Sequence, residues 1–114
     1  MAKILHVGGA KKSFPELIPF GHSVDTVQNG MIALSALSIH HYDAVLIEDE
    51  LPLLTPAKLI YEINVLSGRF PIIAIIRKNS RRNEILNDLD NHTLAWFDPK
   101  LGTTEDLSKH IDRA

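Results

Sequence analysis

Three consecutive carboxylates, Glu48, Asp49 and Glu50, come directly after the apolar run Ala44-Val-Leu-Ile47, and Pro52 stands two residues further on. A short continuous apolar run bounded by polar residues reads as a strand buried on both faces, the pattern of a parallel sheet covered by helices. Open α/β sheets place their ligands at the carboxyl ends of such strands. The acidic trio therefore stands at the expected functional edge. A basic cluster, Arg77, Lys78, Arg81 and Arg82, comes after the next long apolar run and falls on the same edge. There Arg77 could neutralise Glu48, or the cluster could bind an anion or an acidic partner. The plain alternative is a solvated basic stretch opening a helix, which costs little because exposed charges are easily hydrated.

Other groups carry less. Gly8-Gly-Ala-Lys-Lys-Ser13 after a first strand suggests a phosphate loop, but neither GxxxxGK[ST] nor GxGxxG spacing is present. Only a weak anion site of backbone N–H groups would remain. His40-His41 lies at a helix end, where cations suit the dipole, and adjacent histidines on a helix point apart. His6 sits inside the first strand and reads as a packed residue with one satisfied nitrogen. No i, i+4 histidine pair is present, so no metal site is expected. No Ser-His-Asp order or GxSxG elbow occurs, and the chain has no cysteine, which excludes disulfides, thiolate catalysis and cysteine–zinc sites.

Five strand-like runs must position these groups: Lys3–Val7, His22–Val27, Ala44–Ile47, Phe70–Ile76 and Leu94–Phe97. Helix-like stretches alternate with them. Met31, Leu34, Leu37 and Ile39 recur at helical spacing. Thr55 is an N-cap with Pro56 at the first helical position, and Leu59, Ile60, Ile63 and Leu66 form the next stripe. Ser80 can cap a helix that turns Ile85, Leu86 and Leu89 inward, and Thr103 or Thr104 caps a last helix over Leu107 and Ile111. Strands alternating with helices predict a parallel sheet with right-handed crossovers. Between Gly9 and His22, Pro15 and Pro19 limit the first helix to one or two turns capped by Ser13. That leaves one flank of the sheet thinly covered.

The 114 residues suffice for one domain with its own core, and an apolar fraction of 45% with 23% charged residues is ordinary for a globular protein. A net charge of −2 gives no bulk attraction to nucleic acid or an anionic membrane. Apolar runs of about five residues are too short to span a bilayer, and Met-Ala-Lys-Ile is no signal peptide. A cytoplasmic location is expected.

Over essentially its whole length the chain resembles the receiver domain of two-component response regulators. The carrying segments are Lys3-Ile-Leu-His-Val7, Asn29-Gly-Met-Ile-Ala-Leu34, Asp43 to Pro52, Phe70 to Ile76, and Phe97-Asp-Pro-Lys-Leu101. The resemblance implies an α/β, flavodoxin-like (βα)5 three-layer sandwich with a parallel five-stranded sheet in the order 2-1-3-4-5, its first helix short. In that family an aspartate four residues before a Leu-Pro or Met-Pro pair accepts a phosphoryl group from a partner kinase. Counting back from Pro52 lands on Glu48. The acidic pair that holds Mg²⁺ in the family falls on Gly8 and Gly9, which offer a hard cation no side-chain oxygen. The hydroxyl residue ending the fourth strand falls on Ile76. One alignment of the fifth strand puts Lys100 at the family's lysine and Phe97 at its aromatic switch position. A one-residue shift puts Trp96 there and Pro99 in place of the lysine, and such a slip flips every side chain across the sheet.

Two readings of Glu48 stand: a fixed negative charge biasing the domain toward an active-like state, or a drifted carboxylate solvated at a strand end. Asp49 and Glu50 read as loop carboxylates facing water. The leading functional expectation is a non-catalytic pseudo-receiver, not an enzyme, without metal or cofactor, that signals by protein–protein contact independently of phosphorylation. Its contact face would be the family's fourth-helix, fifth-strand and fifth-helix surface, here Arg81, Arg82 and Lys109, meeting a protein partner or a second copy. One alternative is an atypical receiver phosphorylated at Glu48 or Asp49; another is a small flavodoxin-like nucleotide-binding protein or enzyme. Residues 1–114 are read as a single receiver-like domain cut from a longer regulator, with a DNA-binding output module one candidate for the region beyond residue 114. The domain itself is expected to bind neither nucleic acid nor membrane.

Overall fold

The apolar runs pair into an all-parallel sheet of order β2-β1-β3-β4-β5, in a computed structural model that describes residues 2–67, 71–77, 95–97 and 102–112. The strands are β1 (Lys3–Val7), β2 (Ser23–Val27), β3 (Ala44–Glu48), β4 (Ile72–Ile75) and β5 (Ala95–Phe97). Three helices accompany them, α1 (Gly30–Ile39), α2 (Pro56–Ser67) and α3 (Thr104–Asp112), with a 3-10 helix at Pro15–Phe20. The central strand β3 is buried along its whole length, which its uninterrupted apolar run requires. The edge strand β2 is only half covered.

Successive side chains of a strand point to opposite faces, and the core divides accordingly. Leu5, Val7, Val45, Ile47, Ile72 and Ala74 face Ala33 of α1 and Leu59, Ile60 and Ile63 of α2. On the other face Ile4, Leu46, Ile73, Ile75 and Phe97 pack against Phe14, Leu17, Leu107 and Ile111. By the same alternation His6 and Glu48 belong to this second face.

Side-chain caps fix the helix starts. Asn29 accepts from the Ile32 N–H at 2.9 Å and Thr55 from that of Lys58 at 3.2 Å. At α3 the caps are reciprocal: Thr103 Oγ1 accepts from the Asp106 N–H at 3.2 Å, and Asp106 Oδ2 accepts from the Thr103 N–H at 3.3 Å.

Three expectations need correction. Ser13 does not cap a turn of α-helix; the segment is a 3-10 helix entered from Phe14 without a side-chain cap, with Pro19 inside it. Prolines at 15 and 19 supply no N–H for an i→i−4 ladder, and the tighter, shorter helix tolerates that. Nor is that flank thinly covered, because Phe14 and Leu17 are both buried there. Finally, Met31, Ile39 and Leu66 point to solvent while Ala33 takes the core position of α1. The helix proposed after Ser80 lies outside the described residues.

Candidate functional site

Glu48 ends β3 and is only 2% exposed. His6, buried in the neighbouring β1, brings its Nε2 to 2.9 Å from Glu48 Oε2. A carboxylate only accepts, so Nε2 carries the proton. The other ring nitrogen lies 3.1 Å from Thr26 Oγ1 on β2, a hydroxyl that can accept or donate. From the opposite side Arg77, just beyond β4, donates Nε–H to Glu48 Oε1 at 2.5 Å and Nη2–H to Oε2 at 3.1 Å. This is the two-pronged guanidinium–carboxylate geometry, the strongest common form of charge-assisted pairing. The backbone N–H of Arg77 also donates to Asp49 Oδ2 at 2.7 Å, so one residue straps the ends of β3 and β4 together.

Burial alone would push the Glu48 carboxyl up. The hydrogen bonds from His6 and Arg77, with the charge they bring, outweigh it and hold the group below its ordinary 4.5. The bond to Glu48 pushes the Arg77 guanidinium up, further from deprotonation. Glu48 is thus ionised and buried, which overturns the reading of a carboxylate solvated at a strand end. Asp49 is buried as well and does not face water as expected, whereas Glu50 does.

The loop after β1 closes the site from above. The Gly8 N–H donates to Val27 O and the Lys11 N–H to Gly8 O, each at 2.9 Å. A Cβ on Gly8 would collide with the Lys11 carbonyl and approach His6 Cε1 to 2.9 Å. Gly9 has a φ of +60°, and a Cβ there would stand 2.5 Å from Glu50 O. In this loop neither position accommodates a side chain, so neither could carry a metal-ligating carboxylate. What remains is a cleft of about 260 Å³ lined by Gly8, Ala10, Lys11, Glu48, Asp49, Glu50 and Arg77. Among the described residues no three His, Asp or Glu side chains are grouped to hold a metal ion. Glu48 is already paired with the Arg77 guanidinium, a cation that would repel a metal ion, so the donor set does not fit Mg²⁺.

Ile76 is buried in the cluster under α1 and α2, on the face of the sheet away from Glu48, and its N–H donates to Phe97 O at 2.8 Å. Phe97 packs into the other cluster, with Ile75 and Leu107. The side chain of Trp96, and Pro99, Lys100, Arg81 and Arg82, lie outside the described residues. Lys109 is exposed and stands 3.8 Å from Glu105 on its own helix. The structure therefore brings Glu48, Arg77, Gly8 and Gly9 together and gives two residues roles the sequence did not assign: His6, read as a packed strand residue, donates to Glu48, and Asp49, read as a loop carboxylate, accepts from the Arg77 backbone N–H. A polar residue inside an apolar strand, on the same alternation phase as a strand-end carboxylate two strand positions away, was the available signal for His6.

No protein-family model and no curated protein matches the chain. Solved structures do. The receiver domain of sensor histidine kinase PA1611 from Pseudomonas aeruginosa is 24% identical, over 98% of this chain and 95% of that one, with a TM-score of 0.78. Chemotaxis response regulator CheY4 of Vibrio cholerae is 21% identical over 99% and 98% of the two chains, TM-score 0.80. Response regulator TrrA from Thermotoga maritima is also 21% identical over 99% and 98%, TM-score 0.82. The first is described with a magnesium ion coordinated in its active-site cleft and the third in complex with Mg²⁺-BeF. The chain has the flavodoxin-like fold of response-regulator receiver domains.

Proposed function

We propose that this is a receiver-fold signalling domain that takes no phosphoryl group, is not an enzyme, and acts through protein–protein contact. The observation behind this reading is the occupied carboxylate: both oxygens of Glu48 are engaged by His6 and Arg77. Phosphoryl transfer to a carboxylate needs a free nucleophilic oxygen and a cation to neutralise the incoming charge. Here the oxygens already accept hydrogen bonds, and the positions that would ligate a metal are glycines pressed against backbone. Arg77 does in a fixed way what a bound cation would do conditionally, neutralising the carboxylate at the end of β3 and tying β3 to β4. The domain then presents one state of its surface, and regulation is left to whatever binds that surface.

The deciding experiment is intact-mass analysis after incubation with acetyl phosphate and Mg²⁺. No phosphoryl adduct is expected. A stable adduct on Glu48 or Asp49 would overturn the reading in favour of an atypical phosphorylated receiver.

A further inference from the structure

The link from β3 to α2 bends sharply. The Leu54 N–H donates to Pro52 O at 2.8 Å, closing a three-residue turn around Leu53, whose φ is +69°. With positive φ at its centre this is the rare, strained form of such a turn, and a bulky side chain there is costly. Glycine would sit in it freely. The packing of Leu53 does not repay the cost, since its side chain is 78% exposed. On either side the chain is anchored: Leu51 and Leu54 pack against the core under α1 and α2, and Thr55 caps α2. The turn therefore holds one leucine away from the protein. Strain kept in this way marks a contact made with something else.

Beside the turn, the loop after β1 supplies charge. Lys11 and Lys12 are both exposed. Among the described residues neither has an ion-pair partner, whereas Lys58 and Lys109 pair with Glu62 and Glu105. Between the two loops opens a recess of about 620 Å³, walled by Gly9, Ala10, Leu51 and Pro52, with Lys12 beside it. Glu50 also lines the recess but is already engaged, so the lysines are the charges left to answer. A basic partner would be repelled. Two lysines and one leucine are too few to hold the domain on an anionic bilayer, which takes a larger basic cluster or a wider apolar face. The complement is a protein segment with carboxylates set around an apolar side chain.

We propose that the turn at Leu53 and the loop carrying Lys11 and Lys12 form the docking edge for an acidic protein segment. An apolar side chain of the segment enters the recess and its carboxylates pair with the two lysines. Leu53, already held in place by its turn, packs against the segment at little entropic cost. This gives a surface and a partner chemistry to the protein contact of the proposed function, and it rests on that reading.

Selection from a displayed library of random linear peptides on the intact domain tests it. Peptides rich in Asp and Glu around an apolar residue are expected, with affinity that weakens as salt rises. The double variant Lys11→Glu, Lys12→Glu should melt like wild type and lower that affinity at least about tenfold. Leu53→Gly gives the readout that a purely structural leucine would not. It should lower the affinity by a similar factor while raising the melting temperature, because the strain is released. No selected peptide, selection without acidic bias, binding indifferent to these substitutions, or a lower melting temperature for Leu53→Gly would overturn the assignment. So would sedimentation of the domain with phosphatidylserine vesicles that the double lysine variant abolishes. Incubation with acetyl phosphate reads out separately: an adduct would remove the phosphorylation-independent reading and leave the peptide result as it stands.

Discussion

A carboxylate that stays ionised away from water must be matched bond by bond, and the partners of Glu48 divide that task between the His6 imidazole and a fixed guanidinium. Removing the acceptor charge while keeping the shape, as in Glu48→Gln, should cost about 2 kcal/mol in chemical denaturation, the range for hydrogen bonds to charged groups. A partly exposed pair would cost less; the burial of Glu48 raises the expectation. Arg77→Ala strands the carboxylate and should cost more, about 3 kcal/mol. Stability should also depend on pH with a definite sign. The folded-state value for Glu48 is depressed, so its contribution is present above the unfolded value and lost as pH falls through the folded one. Wild type should therefore exceed Glu48→Gln at neutral pH, and the gap should close progressively in acid below 4.5. A constant gap across that window would mean that the pair does not shift the carboxyl. Glu48 and Arg77 were legible in the sequence because parallel strands bring their carboxyl ends to one edge. His6 was not, since a histidine inside a strand looks like core until the β1–β3 register sets it diagonally across from the carboxylate.

At the scale of elements, four apolar runs and the period-two alternation of His22–Val27 matched the five strands of the described sheet, and the caps that set the helix starts were legible at Thr55 and Thr103 but not at Asn29. The phase of α1 could not be read, because a helix with no charged residue has no polar face to orient it. The 3-10 helix was legible as a short element from its prolines, but not as a cover for the sheet, which depends on Phe14 and Leu17 reaching back under β1 and β3. Leu17→Ala should accordingly cost about 3 kcal/mol, as deletion of a fully buried leucine does, where a loosely packed flank would lose little. The loop after β1 is the other test at this scale. Gly8→Ala forces a methyl against the Lys11 carbonyl and should destabilise by about 2 kcal/mol through overpacking. If Gly8→Ala melted like wild type, the loop would have room for a side chain, and the position would be free for an acidic residue after all.

Across the whole molecule the two faces of the sheet carry different work. One holds the His6–Glu48–Arg77 group together with the core packed under the 3-10 helix and α3, and the other is covered by α1 and α2. The sheet between them has the strand order of the receiver fold, an architecture that alone would suit phosphoryl chemistry, and the proposed reading rests instead on the residues at the strand ends. The most direct measurement is an amide NMR titration of the intact domain with Mg²⁺ and then beryllofluoride, monitored at Gly8, Gly9, Glu48, Asp49 and Arg77. A site already closed by its own ion pair predicts no saturable shift at these amides in the millimolar range. Saturable shifts there, on Mg²⁺ alone or on adding beryllofluoride, would show an open metal and phosphoryl site and contradict it.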